Sequence, residues 1–197
     1  MGAPYDTGCL WRDADARSRS ESMESRVKIL GHPIHPMLVV LPLGLLIMAV
    51  VFDVLRMITG NNAFSIVAYW NIVGGLITGL LAAVFGLLDW LAIPGKTRAK
   101  AVGAMHGGGN VVVILLFAVS WWLRRDNPDY VPDTLAFLLG LLGLGLGGVT
   151  AWLGGELIYR LRMAVDDGAH LDAPNSLSGK PAAENAGVAA SAAQRRG

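Results

Sequence analysis

Hydrophobic residues gather into four long runs, at about residues 36–57, 65–92, 102–123 and 134–159, with short polar segments between them. Each run approaches or exceeds the roughly 20 residues that a helix needs to cross about 30 Å of hydrocarbon. Lipid offers no partner to a free peptide group, so apolar runs of this length are expected to be helices. The links carry turn chemistry: Thr59-Gly60-Asn61-Asn62, Ile93-Pro94-Gly95-Lys96, and Arg124-Arg125-Asp126-Asn127-Pro128-Asp129. Short links make consecutive helices antiparallel neighbours, which predicts an all-α, four-helix transmembrane up-down bundle over residues 26–165. The leader, 1–25, is polar and charged, and the tail, 166–197, is rich in Ala, Gly, Ser, Pro and Asn. Neither holds a sustained apolar period, and both are expected to be disordered.

Composition agrees with the pattern. Of 197 residues 53% are hydrophobic and only 16% charged, against about a quarter charged in soluble domains, so an ordinary soluble enzyme is excluded. A net charge of +1 leaves no basic surplus for nucleic acid, and no nucleic-acid partner is expected. The single cysteine, Cys9, cannot form an intramolecular disulfide or a cysteine metal motif. No basic stretch followed by a short apolar run opens the chain, so the first apolar segment is expected to be a retained anchor.

The basic residues instead report orientation. Arg17, Arg19, Arg26, Lys28, Lys96, Arg98, Lys100, Arg160 and Arg162 fall on one side of the predicted bundle, and only Arg56, Arg124 and Arg125 on the other. The richer side is expected to be cytoplasmic, which places both termini there. Trp90, Trp121, Trp122 and Tyr159 lie near helix ends, at headgroup level. Glycine pairs four apart, Gly75/Gly79, Gly103/Gly107 and Gly143/Gly147, predict close helix packing. Pro42 is expected to kink the first helix, and Asp53 and Arg56 read as a pair within one helix near the opposite face.

Ionisable groups at membrane depth are costly, which makes them functional candidates when they face the protein interior. His32 and His35 precede the first helix, Asp89 lies near the end of the second, His106 near the start of the third and Glu156 near the end of the fourth. An antiparallel bundle brings those four ends to one face. A weak internal symmetry runs through them, His35 to Asp89 and His106 to Glu156 at similar intervals. The first and third helices lie diagonally, so His35 and His106 can face each other across the core, as two axial haem ligands do. With Asp89, Glu156 and His32 the same groups suit a divalent metal ion. Asn110, one turn from His106, shares its face and can orient its ring. The plainer alternative has the histidines capping helix starts and the carboxylates pairing with interfacial Lys or Arg. No nucleophile elbow, phosphate loop or dinucleotide fingerprint is present, so no enzyme class is indicated.

The strings Gly31-His32-Pro33-Ile34-His35-Pro36, Gly86-Leu87-Leu88-Asp89-Trp90, Met105-His106-Gly107 with Asn110, and Trp152-Leu153-Gly154-Gly155-Glu156-Leu157-Ile158-Tyr159-Arg160 resemble those of bacterial membrane proteins of domain-of-unknown-function family 2231. The resemblance covers about residues 27–167. It implies a four-helix protein of the bacterial inner (plasma) membrane and carries no activity. Family members often have a histidine after the Tyr-Arg pair, where this chain has Leu161 followed by Arg162.

The functional expectation is a small membrane redox or metal-binding protein with haem or a divalent metal as cofactor. His35 and His106 are the expected ligands, His32, Asp89 and Glu156 the auxiliary ligands or proton partners, and a membrane redox or respiratory protein the candidate partner. The competing expectation is a structural or accessory subunit that packs through its glycine-lined faces and holds no cofactor.

Overall fold

The computed structural model describes residues 24–184. Four helices dominate it: α1 (Ile34–Thr59), α2 (Ala63–Ala92), α3 (Arg98–Arg124) and α4 (Thr134–Gly155). All four are long and apolar enough to cross a membrane. At about 1.5 Å per residue the 26 residues of α1 extend ~39 Å and the 30 of α2 ~45 Å, enough to pass the hydrocarbon and reach the headgroups. A two-residue antiparallel hairpin, β1 (Lys28–Ile29) and β2 (His32–Pro33), leads into α1.

The helix ends follow their chemistry. Gly60 closes α1 in the left-handed conformation, its N–H donating to the Arg56 carbonyl. Thr97 and Asp133 cap α3 and α4 by accepting from the N–H groups of Lys100 and Ala136. Beyond Gly155, α4 widens into a π turn over Glu156–Arg160. Pro42 sits inside a continuous α1 and is buried there.

The helices associate chiefly as two hairpins, α1 with α2 and α3 with α4, joined mainly along α2 and α3. Leu46, Ala49, Val50, Ile72, Val113 and Phe117 form the buried centre. Large apolar residues such as Leu80, Leu87, Leu115 and Leu142 are more than half exposed, the arrangement of a protein whose outer solvent is lipid. Four of the six expected packing glycines serve close contact: a β-carbon at Gly75, Gly79, Gly103 or Gly143 would come within 2.5–2.8 Å of Leu46, Ile114, Trp90 or Phe117. Gly107 and Gly147 instead have open space where a side chain would stand.

At the end of the bundle away from the histidines, Asp53 pairs with Arg124 of α3 at 2.9 Å, and not with Arg56 in its own helix. Arg124 is 0% and Asp53 2% exposed. Arg124 Nη2 also donates to Ser120 Oγ, which donates to the Ala136 carbonyl at 2.7 Å. Three helices are thereby tied by one fully partnered polar chain, which is the condition for burying charge.

At the histidine end, the chain on either side of the bundle folds together. Lys28 Nζ contacts Asp166 at 2.5 Å and Glu24 at 2.8 Å. Burial draws its pKa down, but the hydrogen bonds to Asp166 and Glu24 outweigh that and hold the ammonium above its ordinary value. Residues 166–184 contain turns and one short 3-10 segment, Ser176–Ser178, but no long helix or strand. The remaining leader and tail positions, Cys9 among them, lie outside the described residues.

Candidate functional site

His35 lies in the first turn of α1, and His106 in the third turn of α3. Because α1 and α3 are diagonal and parallel, both rings reach the bundle axis from the same end. Their centroids are 6.5 Å apart and their planes are nearly perpendicular, at 88°. Both residues are half-buried.

Each imidazole is held by its hairpin partner in the same way. The Nδ1 of His35 bonds the Ala82 carbonyl of α2 at 2.8 Å, and that of His106 bonds the Thr150 carbonyl of α4 at 2.8 Å. A carbonyl can only accept, so both Nδ1 atoms carry the proton, and in the neutral ring Nε2 is then the acceptor. Four residues beyond each carbonyl a glycine makes room for the ring. A β-carbon at Gly86 would stand 2.7 Å from His35 Cε1, and one at Gly154 3.1 Å from His106 Cε1. The internal symmetry is therefore one of contacts: histidine, carbonyl on the next helix, glycine one turn on.

The two halves differ at one place. With Nδ1 protonated, His106 Nε2 accepts from Asn110 Nδ2 at 3.1 Å, and the Thr150 hydroxyl lies 2.8 Å from Asn110 Oδ1 and 2.9 Å from the Gly147 carbonyl. The corresponding positions in the first half are Val39 and Ala82, which have no such groups.

The other three expected ligands lie apart from this pair. Asp89 accepts from Ser25 Oγ at 2.7 Å and from the Arg26 N–H at 3.1 Å, anchoring the segment before β1. Glu156 meets Arg98 at 2.5 Å across the start of α3 and the π turn. His32 is exposed, and its Nε2 lies 3.2 Å from Ser176 Oγ. Among the described residues, no three His, Cys, Asp or Glu side chains come together as a metal-binding group. The expected five-residue cluster thus resolves into a histidine pair and three separate surface attachments.

Thr150, Gly86 and Gly154 belong to the site without having been singled out for it. Thr150 is the one polar, non-glycine residue between Thr134 and Glu156, a signal that was there to use. Gly86 and Gly154 were visible only within the strings that carry the family resemblance.

Residues 31–167 match the model of a family described as predicted membrane protein (DUF2231), and the chain belongs to that family. No curated protein and no solved structure gives a significant match.

Proposed function

Starting from membership of this family of four-span membrane proteins, we propose that the chain is a small haem-binding redox protein in which His35 and His106 supply the two axial nitrogens. The observation that carries the reading is the separation of the two rings. Two imidazole nitrogens on opposite sides of one metal each lie about 2 Å from it, which sets the ring centres about 6 Å apart. The 6.5 Å between the two ring centroids lies close to that.

The residues suit the group in two further respects. Histidine ligands commonly donate the other ring N–H to a carbonyl, which fixes tautomer and orientation, and Ala82 and Thr150 accept those protons. Haem also needs only two protein ligands, which is what converges here, whereas a tetrahedral zinc site asks for three or four. A bundle core lined by facing helices is a common place for such a cofactor. When bound, haem supplies one-electron chemistry. His35 and His106 would hold it, with both rings fixed by backbone carbonyls. The basic bias of the histidine end favours a cytoplasmic position for the pair in the bacterial inner membrane, within reach of a membrane redox or respiratory partner.

The test is an absorption spectrum of the detergent-purified protein from iron-replete cells supplied with haem precursor. A Soret band that is present in wild type and lost in His35→Ala supports the proposal. A colourless protein with a stoichiometric metal ion moves the pair to a bare-ion site. A clean protein with neither supports the accessory-subunit reading.

A further inference from the structure

Basic side chains at the two ends of the bundle are used differently. At the far end each has a partner: Arg56 bonds Asn62, Arg124 pairs with Asp53, and Arg125 pairs with Asp126 while lying over the Trp122 ring. At the histidine end Lys28, Arg98 and Lys100 are engaged too, by Asp166, Glu156 and the Trp90 carbonyl. Arg160 and Arg162 are not. Both are exposed, and neither guanidinium has an ion pair or hydrogen bond among the described residues. Glu156, four residues before Arg160, is already held by Arg98.

Two aromatic rings stand beside these charges on the membrane side. The Tyr159 ring lies over Gly155, where a β-carbon would stand 3.7 Å from its Cδ2, so the ring turns back along α4. Trp152, three residues before Gly155, shares that face of the helix. Both rings are open to the surroundings, Trp152 at 68% and Tyr159 at 85% exposure. Toward the membrane surface the order along the chain is therefore indole, phenol, guanidinium. A phospholipid presents its groups in the matching order of acyl chain, glycerol ester and phosphate.

We infer that the end of α4 is a binding site for an anionic phospholipid, with Arg160 and Arg162 on the headgroup and Tyr159 and Trp152 against the glycerol and upper acyl chain. Charge complementarity carries the inference, because unpaired cations at the bilayer surface attract anionic lipid and the guanidinium fork matches phosphate oxygens. Amphipathic rings favour the headgroup level. Lipid is the fitting occupant because the same helix already exposes Leu138, Leu142 and Val149 along its span. The inference is independent of the haem reading.

The experiment titrates the full-length, detergent-purified protein with phosphatidylglycerol and, separately, with phosphatidylcholine, and reads the first bound lipid by native mass spectrometry. Phosphatidylglycerol is expected to bind about 25-fold more tightly, about fivefold for each arginine. Arg160→Gln combined with Arg162→Gln is expected to remove that preference and leave phosphatidylcholine binding unchanged. Lys96→Gln, at another exposed cation of this end, is expected to change neither affinity. Trp152→Ala combined with Tyr159→Ala is expected to weaken both lipids alike, and full affinity in that variant overturns the aromatic contact. Equal affinity for the two lipids in wild type overturns the inference and leaves this face to a protein partner. A preference that survives the arginine double variant overturns it as well. So does an equal loss in Lys96→Gln, which would show a diffuse basic surface in place of a site.

Discussion

Arg124→Met isolates the buried polar chain at the far end of the bundle. The substitution keeps most of the side-chain volume and leaves Asp53, 2% exposed, without its partner at 2.9 Å. It also removes the donor that bonds Ser120 Oγ at 3.0 Å. Breaking one partner of a buried pair costs about 3–5 kcal/mol in soluble proteins, whereas a single polar contact between membrane helices averages about 0.6 kcal/mol. Asp53 and Arg124 both lie within two turns of a helix end, so relaxation toward headgroup water lessens the penalty. A loss of about 2–3 kcal/mol is expected, which is about 30- to 150-fold in the unfolding equilibrium. The second step is Asp53→Leu in the Arg124→Met background, which removes the orphaned charge and is expected to restore most of the stability. Unfolding by dodecyl sulfate in mixed micelles, followed by helical circular dichroism, measures both. A single variant within about 0.5 kcal/mol of wild type, or a double variant no more stable than the single, would refute the reasoning.

Gly86→Leu is expected to abolish haem retention, because even a β-carbon there meets His35 at 2.7 Å; an unchanged Soret intensity per chain would show that the ring is free to move. Glu156→Gln removes an ion pair whose Arg98 side chain is 61% exposed, and it is expected to change stability by less than about 1 kcal/mol and haem content not at all. Cys9 is the one cysteine of the chain, so labelling with a membrane-impermeant maleimide reads orientation directly. Protection in intact spheroplasts and labelling after lysis are expected, and labelling before lysis would reverse the assigned topology.

Hydropathy carried most of the architecture because a membrane leaves few alternatives: long apolar runs with short links have to be helices, and neighbouring ones antiparallel. The end of α2 at Ala92 and the start of α4 at Thr134 are those expected, and the other helix ends differ by one to four residues, as at the start of α3, where the Thr97 cap rather than hydropathy sets the bound. The hairpin at Lys28–Pro33 was not foreseen, since two-residue strands leave no period to detect. Partner choice was less legible than position. Asp53 and Arg56 share a helix at favourable spacing, yet Asp53 turns inward to Arg124 because only the bundle interior offers a fully desolvated partner. The same limit applied to the carboxylates. Asp89 and Glu156 reach the expected end of the bundle, where Asp89 is taken up by Ser25 and Arg26, in a segment whose path no periodicity describes, and Glu156 by Arg98 at the start of α3, the interfacial pairing that the plainer alternative expected. The histidines were legible because diagonal helices have one shared direction, toward the axis, and both rings point along it.

Low-temperature electron paramagnetic resonance of the oxidised, purified protein reads the ligands of the iron directly. An iron carrying two imidazoles is expected to give a low-spin signal, converted to high-spin by His106→Ala. A high-spin signal in wild type, or a low-spin signal that survives His106→Ala, would contradict a haem held between His35 and His106.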